Sequence, residues 1–415
     1  EYMANGCMNV KRTTGQHPGG IVVVPNDFDV YDFTPIQWPA DEVDSEWKTT
    51  HFDFHSIHDT ILKLDLLGHV DPMALKMMCD LTDININDIP MNDPNVIALF
   101  STSKPLKLKG NYLAQKTGAL AIPEFGTDFV RGILEDTSPK SFSDLVIISG
   151  LSHGTNVWNG NAEKLVKNKV ATLQEVIGCR DDIMTYLIGK GLPSNMSFAI
   201  MEDVRKGKGL KPEFLETMKK YNIPQFYIDS CNLIKYMFPK GHAVAYVTMA
   251  VRVGYFKIYY PLEFYATFFS VRSDQYDIVP MIKGEQAIID RIEELKNKKE
   301  LSNKEKDQLK TLQIAIEMVQ RGYSFSNIDL YKSDATKFIV DHETKSLIPP
   351  FITIDGLGAN NAITVVEARN QGEFTSEEDL LRRTTLTKTN VNDLKAIGAI
   401  KNLNETDQIS LFDFA

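Results

Sequence analysis

The segment from His242 to Tyr260 constrains the fold more than any other part of this sequence, because it is apolar nearly all round and ends at Pro261. A helix without a polar face has to be surrounded by other elements, so the segment predicts a buried helix. The chain has 415 residues, 43% of them hydrophobic, which is enough for about two to four domains with their own cores. From about residue 71 to 290 the pattern predicts further short helices broken by Pro and Gly.

The whole pattern predicts an α+β, mostly helical fold. Residues 1 to about 70 read as strands and turns, with extended segments at 21–24, 50–54 and 61–66. Residues 286–319 predict a highly charged helical stretch with a narrow apolar stripe, followed by short strands near 337–340 and 347–348. The last globular piece, about 351–400, predicts small helices.

Composition limits the class of protein. The net charge of −10 argues mildly against a general nucleic-acid binder, although the basic residues between 205 and 220 can still bind phosphates locally. Neither a membrane-spanning run nor a signal segment is found, so we predict no membrane partner. The cysteines share no metal-binding spacing and predict reduced thiols in a cytoplasmic protein. The chain begins with Glu1 in dense sequence, which suggests a piece of a longer protein.

Two charges interrupt the apolar run Ile61-Leu62-Lys63-Leu64-Asp65-Leu66-Leu67-Gly68. In a strand of period two, Lys63 and Asp65 share one face, and the alternating leucines on the other face can pack into a core. Burying an unpaired charge costs several kcal/mol. The pattern therefore predicts either a Lys–Asp pair on a half-exposed strand or a functional site.

His51, Asp53 and His55 alternate on one face of a predicted strand. Imidazole and carboxylate suit zinc or iron, so this pattern motivates a metal-dependent hydrolase as a rival interpretation. A polar, solvent-facing edge explains it equally simply, and we prefer that interpretation.

The start of the predicted buried helix is a candidate anion site. Lys240 and His242 stand at this N-terminus, where backbone N–H groups and the positive dipole end attract anions. Tyr246 lies one turn beyond His242 on the same face. The set suits a polyphosphate with a ring to stack on, or else an ordinary buried helix whose polar residues reach solvent.

Two further basic segments are candidates for phosphate binding. Arg205-Lys206-Gly207-Lys208-Gly209 combines cations with a pliant backbone, but it lacks the spacing of a P-loop. A solvated surface is the simpler explanation for such a run. Arg180 can bind phosphate or pair with the neighbouring aspartates.

The sequence Ile354-Asp355-Gly356-Leu357-Gly358 has the signature of a helix-hairpin-helix motif. The glycines Gly356 and Gly358 let backbone N–H groups approach one DNA phosphate without reading bases. Residues 394–399 form a weaker second copy with one glycine missing, and a plain helical turn explains it as well. The tail Gln408-Ile409-Ser410-Leu411-Phe412 carries apolar residues that invite docking into another protein, or that fold back or stay disordered.

Together these segments resemble the C-family of bacterial replicative DNA polymerases, namely the alpha subunit of DNA polymerase III in its PolC-type form. The matching stretches are collinear over nearly the whole chain. They are Arg12-Thr13-Thr14-Gly15-Gln16-His17-Pro18-Gly19-Gly20, residues 49–68, Ile122-Pro123-Glu124-Phe125-Gly126, Ile148-Ser149-Gly150-Leu151-Ser152-His153-Gly154, residues 204–209, residues 238–246 and residues 408–412.

The resemblance implies an order of domains. Residues 1–70 would be the C-terminal part of a palm related to the polymerase-beta-type nucleotidyltransferases, and residues 71–290 would be the fingers. A charged helix and small α/β connector (291–350) would lead to a tandem helix-hairpin-helix DNA-binding module (351–400) and a sliding-clamp-binding tail (401–415).

The resemblance also implies roles. Asp65 looks like a catalytic, metal-binding aspartate of the palm, and Lys63 looks like the lysine that contacts the incoming nucleotide. The further nucleotide-binding residues would be Arg180, Arg205, Lys206, Lys208, Lys240, His242 and Tyr246. Two Mg²⁺ ions would activate the primer 3′-hydroxyl and stabilise the leaving pyrophosphate. Partners would be primer–template DNA, dNTP, the sliding clamp and other replisome subunits, in the cytoplasm at the nucleoid.

One part of the family's pattern is missing. The palm also needs an Asp-x-Asp pair and a Gly/Ser nucleotide motif, which the resemblance puts upstream of Glu1. We therefore expect Asp65 to share its Mg²⁺ ions with carboxylates outside this chain, and we expect the chain alone not to extend a primer. A DNA- and clamp-binding module without catalysis is the second interpretation, ahead of the hydrolase.

Overall fold

The computed structural model describes residues 2–8, 15–17, 19–66 and 68–407, without the side chains of His55 and Asp65. The chain divides into two compact units, Glu1–Val70 and Asp71–Ala415. About 52% of the structure is helical and its strands are few, which confirms the predicted mostly helical fold. Within the described ranges, none of the helices has the length and apolar character needed to cross a bilayer.

The first unit contains small antiparallel sheets. Its described helices and strands are α1 (Tyr2–Gly6), β1 (Gly20–Val23), β2 (Ile36–Gln37), β3 (Thr49–Thr50), α2 (Phe54–Ile57) and β4 (Leu62–Asp65). Strand β1 pairs with β4, and β2 pairs with β3. The register places Gly20 opposite Asp65 and Val22 opposite Lys63, so the predicted alternation along β4 is observed.

The apolar face of this β1–β4 sheet is open to solvent. Cross-strand pairing joins Ile21 to Leu64 and Val23 to Leu62 on that face. Leu62 and Leu66 are 61% exposed and Leu64 is 48% exposed. The expectation that these leucines pack into a core is therefore wrong for this structure, because no second layer covers the sheet among the described residues.

The expected strand over residues 50–54 is also wrong. Strand β3 ends at Thr50, and the chain then turns because the His51 N–H donates to the Pro35 carbonyl (2.8 Å) and the Phe52 N–H donates to the Thr34 hydroxyl (3.2 Å). The Asp53 carbonyl accepts from the Ser56 N–H at 2.9 Å, which starts helix α2. His51, Asp53 and His55 thus do not alternate along a strand.

The second unit is a helical body with one small sheet. Its described helices and strands are α3 (Val70–Thr82, beginning one residue before the unit), α4 (Pro94–Ala98), α5 (Asp128–Thr137), α6 (Phe142–His153), α7 (Glu163–Lys167), α8 (Arg180–Gly189), α9 (Ser194–Arg205), α10 (Pro212–Lys220), α11 (Gln225–Leu233), α12 (Lys240–Tyr259), α13 (Pro261–Val271), α14 (Ile278–Lys283), α15 (Glu285–Lys296), α16 (Asn303–Gln320), β5 (Ser324–Phe325), β6 (Ile339–Asp341), β7 (Ser346–Ile348), α17 (Ala359–Arg369), α18 (Glu377–Arg383) and α19 (Lys388–Ala396).

The predicted buried helix is α12, and it joins two hydrophobic cores. Val247 and Val251, in its first part, pack into the core that is shared with α6 and α8. Val253 and Phe256, near its end, pack into a second core with α13 and α16. The absence of a polar face follows from this position, because the helix has packing neighbours along most of its length.

The charged stretch 286–319 is divided into two helices. Helix α15 ends at Lys296 and α16 begins after Ser302, whose hydroxyl accepts from the Glu305 N–H while Glu305 accepts from the Ser302 N–H. This capping box starts a new helix and explains the break. The predicted apolar stripe lies on α16, where Leu312 and Ile316 are fully buried.

A three-stranded sheet of order β5-β7-β6 follows, and the sequence predicts β6 and β7 but not the two-residue β5. The two predicted hairpins come next and differ. Gly358 leads straight into α17, whereas Gly398 follows α19 and is followed by turns and bends with an isolated bridge at Asn404.

Candidate functional site

The N-terminus of α12 lies beside the N-terminus of α8. The Arg180 N–H donates to the Phe238 carbonyl at 3.1 Å, which ties the two helix starts together. A Cβ at Gly150 would lie 2.5 Å from the Gly178 carbonyl oxygen, so glycine allows α6 to pack against this point. These tertiary contacts bring α6, α8 and α12 to one place.

Carboxylates of α8 occupy the predicted anion position. The Asp181 carboxylate accepts from the Lys240 backbone N–H at 2.7 Å, in the first turn of α12. Asp182 accepts from the Lys240 ammonium at 3.0 Å and from the Cys179 N–H at 2.8 Å. The hydrogen bond that the Lys240 ammonium donates to Asp182 raises the pKa of Lys240. Arg180 lies farther off, with Nε 4.0 Å from Asp181.

Aromatic rings cluster on the first two turns of α12. The rings of Phe238 and His242 stack with centroids 4.8 Å apart, and Tyr246 lies 4.4 Å from His242. His153, at the end of α6, lies 5.6 Å from His242 and 6.0 Å from Tyr246. The structure therefore brings the predicted His242 and Tyr246 together next to Lys240, in a setting where a flat ring can stack.

His153 and Glu124 belong to this cluster although the sequence analysis did not select them as site residues. His153 Nδ1 lies 2.6 Å from the Ser149 carbonyl oxygen, and Nε2 lies 2.8 Å from a Glu124 carboxylate oxygen. Both neighbours are acceptors, so the geometry favours the imidazolium. The Glu124 hydrogen bond raises the pKa of His153 against the effect of burial. Their presence in two motifs of the family resemblance was the available signal.

The basic segment at the end of α9 carries its own counter-charges. Arg205 Nη2 donates to Glu202 Oε2 at 2.8 Å, and the Lys206 ammonium lies 3.1 Å from the same oxygen. Lys208 lies 3.9 Å from Asp203. The hydrogen bond from Arg205 lowers the pKa of Glu202 to about 2. These predicted phosphate-binding cations are thus held in ion pairs.

Gly207 positions this segment against the approach to α12. Its φ is +69°, and a Cβ there would lie 2.5 Å from the Lys235 carbonyl oxygen. Lys235 stands three residues before Phe238, so the Arg205 segment and the α12 cluster contact the same stretch of chain. The fold thus places the turn at Gly207 against the chain that leads into α12.

The predicted residues of the first unit are described only in part. The Lys63 ammonium lies 5.0 Å from the Phe54 ring centroid. The Asp65 backbone ends β4, and its side chain lies outside the described part. Gly19 is tightly constrained, because a Cβ there would overlap the Leu66 carbonyl. Among the described side chains, no group of three His, Cys, Asp or Glu residues is placed to hold a metal ion.

The first hairpin presents an open backbone. Gly356 has φ +75°, and nothing lies within 4 Å of a Cβ at either Gly356 or Gly358. The hairpin is flanked by an ion pair, with the Lys304 ammonium 2.7 Å from Asp355.

The second hairpin is closed. The Gly398 and Ala399 N–H groups donate to the Lys395 and Leu394 carbonyls, and Asn327 donates to the Ile397 carbonyl at 2.6 Å. Its N–H groups cap α19 and are not available to a ligand.

The predicted clamp-binding residues 408–412 lie outside the described residues. The chain just before them is held against α18. The Glu377 N–H donates to the Asn404 carbonyl at 2.8 Å, and the Ser376 hydroxyl donates to Asp407 at 2.7 Å. Asn404 and Asp407 are therefore held at the start of α18.

Known protein families match most of the chain. Residues 2–68 match the bacterial DNA polymerase III alpha NTPase domain, and residues 71–222 match the bacterial DNA polymerase III alpha subunit finger domain. Residues 322–409 match a helix-hairpin-helix motif.

Curated relatives extend the similarity over the chain. The chain is 54% identical to the DNA polymerase III PolC-type of Oceanobacillus iheyensis and 56% identical to that of Bacillus subtilis, each over 99% of this chain and 29% of the relative. It is 52% identical to the DNA polymerase III PolC-type of Staphylococcus aureus over 100% of this chain and 29% of the relative. The chain thus spans less than a third of the length of these relatives. These matches confirm the predicted resemblance.

Proposed function

We propose that this chain, a part of a PolC-type DNA polymerase III by its similarity, binds the incoming nucleotide and the DNA in a bacterial replicative polymerase. In the whole enzyme, a DNA-directed DNA polymerase, it would take part in nucleotidyl transfer from a dNTP to the primer 3′-hydroxyl. The observation that carries this proposal is the cluster at the start of α12, where Lys240, His242 and Tyr246 lie together in the helical body that follows the matched finger segment.

The cluster has the chemistry needed for a nucleoside triphosphate. The Lys240 N–H and ammonium already bind the carboxylates of Asp181 and Asp182, so the position accepts anions. A triphosphate carries more charge than a carboxylate and would displace Asp181 and Asp182 from Lys240. Phe238, His242 and Tyr246 would pack against the base, and the imidazolium of His153 would add a positive charge.

Arg180, Arg205, Lys206 and Lys208 are proposed to join the triphosphate site when their own carboxylate partners are displaced. Each of them lies within 4 Å of an aspartate or glutamate carboxylate. Weak binding of single phosphates and stronger binding of a triphosphate would follow, because several ion pairs have to be exchanged together.

Asp65 and Lys63 are proposed to act in the palm, with Asp65 as a ligand of Mg²⁺. When bound, two Mg²⁺ ions would supply charge neutralisation at the reacting phosphate. The described residues of this chain do not assemble a site for them, since a hard cation needs six or so oxygen ligands. The remaining carboxylates would come from outside this chain, which by itself is proposed to be inactive in primer extension.

The first hairpin is proposed to bind one phosphate of duplex DNA. Gly356 and Gly358 leave their backbone open, and the hairpin runs directly into the N-terminus of α17. Backbone N–H groups at such a position bind phosphate without reading sequence. Residues 408–412 are proposed to bind the sliding clamp, which would place the chain with the other replisome subunits at the cytoplasmic nucleoid.

The proposal is tested by nucleotide binding to the 415-residue chain. Titration calorimetry with dGTP is expected to show binding that Lys240→Ala together with His242→Ala lowers by at least tenfold. Lys310→Ala, which removes an exposed cation of α16, is the matched control. Equal affinity of the double variant and the control would contradict the site. In the whole enzyme, Asp65→Asn is expected to abolish extension while DNA binding is retained, and retained extension would contradict the role of Asp65.

The second candidate function is a DNA- and clamp-binding module without catalysis. The open first hairpin favours it, because that binding needs no carboxylates. Duplex binding without dGTP binding by the chain would select this function. The hydrolase interpretation loses its structural basis, since residues 51–55 turn away from the strand, and zinc bound in a ratio of one per chain would be needed to restore it.

A further inference from the structure

A second basic and aromatic cavity lies at the opposite end of α12. It has a volume of about 390 Å³ and lies between the end of α12, the end of α16 and the turn that joins β6 to β7. Helix α12 has 20 residues, so the cavity is separated from the Lys240 cluster by roughly 28 Å along the helix axis. It is thus a different site from the one described above.

Three cations line this cavity, namely Lys109, Arg321 and Lys345. In the part of the chain that the structure describes, none of the three is within 4 Å of a carboxylate. Glu263 is the one lining carboxylate among the described residues, with His342 Nε2 3.1 Å from it, and the three cations outnumber it. The cavity therefore keeps an excess of positive charge in a chain whose net charge is −10.

The nearby buried carboxylate does not neutralise Arg321. Glu317, one turn earlier on α16, is bound by the Lys257 ammonium at 2.8 Å and by the Tyr265 hydroxyl at 2.7 Å. The Arg321 guanidinium lies over the Tyr265 ring at 5.5 Å and donates to its hydroxyl at 3.3 Å, and its Nε is buried. The contact with Tyr265 thus holds the guanidinium at the wall of the cavity, where its positive charge faces a ligand.

An aromatic ring is fixed beside these cations. The Tyr259 hydroxyl donates to Asp93 at 2.9 Å and accepts from the Asn95 amide at 3.2 Å. Its side chain is nevertheless 43% exposed. A ring that is tethered at its hydroxyl and partly exposed loses little conformational freedom when a base packs on it.

We infer that this cavity binds a nucleotide unit of single-stranded DNA, with its phosphates on Lys109, Arg321 and Lys345 and a base on Tyr259. Sequence-independent binding of single strands uses cations that contact the phosphates of the DNA backbone and aromatic rings on which any base can stack. A cavity of this size suits about one nucleotide. Lys109, Arg321 and Lys345 come from three separate segments of the chain and can contact the phosphates on both sides of one nucleotide unit.

The test is fluorescence anisotropy of a labelled oligothymidylate with the 415-residue chain at several salt concentrations. Lys109→Glu together with Lys345→Glu is expected to weaken binding by at least tenfold. The slope of log affinity against log salt is expected to fall by about 1.4, because each phosphate contact to a single strand contributes about 0.7. Tyr259→Leu is expected to weaken binding and leave this slope unchanged.

Lys310→Glu makes the matched charge change on α16 outside the cavity, and thermal unfolding of every variant checks the fold. If Lys310→Glu weakens binding as much as the double variant, the site is overturned. Ultraviolet crosslinking of a bromodeoxyuridine oligonucleotide is expected to label the peptide that contains Tyr259. Dependence on Lys109 and Lys345 for free dTTP, with none for the oligonucleotide, would also overturn the assignment to a strand.

Discussion

The two ends of α12 both gather cations, but only one end neutralises them. At the start of the helix, Asp182 binds Lys240, and Glu202 binds Arg205 nearby. At its end, Lys109 and Arg321 have no carboxylate within ion-pair distance among the described residues. A site whose cations are already paired with carboxylates favours a ligand with enough negative charge to displace several of them. A site whose cations have no carboxylate partner attracts any phosphate. Cation content alone therefore does not define binding preference.

The largest expected effect concerns the buried ion pair that fixes α12 between its two ends. Lys257 on α12 and Glu317 on α16 are fully buried, and Lys257 also donates to the Gly118 carbonyl at 2.8 Å. Lys257→Met would leave Glu317 without its cation and is expected to lower the free energy of unfolding by about 3–5 kcal/mol. Urea denaturation measures it.

The double variant Lys257→Met with Glu317→Leu is the control, because removing both charges is often nearly neutral. It is expected to recover most of the lost stability. If Lys257→Met is as stable as the unsubstituted chain, the ion pair has no structural role, and it does not fix α12 between its two ends.

The lowered pKa of Lys257 makes the stability of the chain depend on pH. Burial lowers the pKa of Lys257 to about 8, from 10.5. The unfolded chain binds the proton more strongly than the folded chain between these values, so this group makes the chain more stable as the pH rises from about 8 to about 10.5. The stability difference between the unsubstituted chain and the Lys257→Met variant is expected to grow over this range, as measured by denaturation at each pH.

A matched pair of glycines tests the backbone at the two ends. Gly207→Ala is expected to cost about 2 kcal/mol or more, because its φ is +69° and the new Cβ would meet the Lys235 backbone. Gly322→Ala at the cavity has φ +91°, but its Cβ would meet only the tip of the Lys109 side chain. It is expected to cost about 1 kcal/mol. Equal losses in denaturation would contradict a tighter backbone at the start of α12.

Removing the carboxylate partner of one cation at the start of α12 should make its phosphate binding more similar to that at the end of the helix. Asp182→Asn removes the negative charge beside Lys240 while keeping an acceptor for the Cys179 N–H. Binding of inorganic tripolyphosphate is expected to strengthen by up to about tenfold, or 1.4 kcal/mol. Calorimetry measures it, with Asp307→Asn, which faces the exposed Lys310, as the control. Unchanged or weaker binding would show that Asp182 does not mask the site.

The smallest expected effect is a change in the titration of His153. Because Glu124 raises its pKa, the stability that His153 contributes is fully present below about pH 6.5 and is lost as the pH rises through the raised value. Glu124→Gln is expected to lower the pKa of His153, which nuclear magnetic resonance of its ring protons measures. An unshifted titration would remove Glu124 from the site.

Local pattern predicted the elements better than it predicted their surroundings. The apolar run at 242–260 gave α12, and the alternation at 62–65 gave β4, because both depend on short-range periodicity. The break between α15 and α16 was readable from Ser302 and Glu305. Exposure of Leu62 and Leu64 was not readable, since it depends on which layer covers the sheet.

The candidate site was predicted in part for similar reasons. Lys240, His242 and Tyr246 lie on one helix, so their proximity follows from helical spacing. The ion pair of Lys240 with Asp182 joins residues 58 positions apart in sequence, and His153 meets Glu124 across 29 positions. The cavity joins Lys109 to Lys345 through the tertiary fold, which no local pattern reports.

The β1–β4 sheet and α12 should also differ in the rate at which their backbone amides exchange hydrogen with solvent. The sheet has two four-residue strands and an uncovered apolar face, so little free energy opposes its local opening. Helix α12 is packed along most of its length and is tied to α16 by a buried ion pair. Amide protons of the sheet should exchange with solvent rapidly, whereas those in the middle of α12 should be among the last to exchange, at a rate set by unfolding of the surrounding cores.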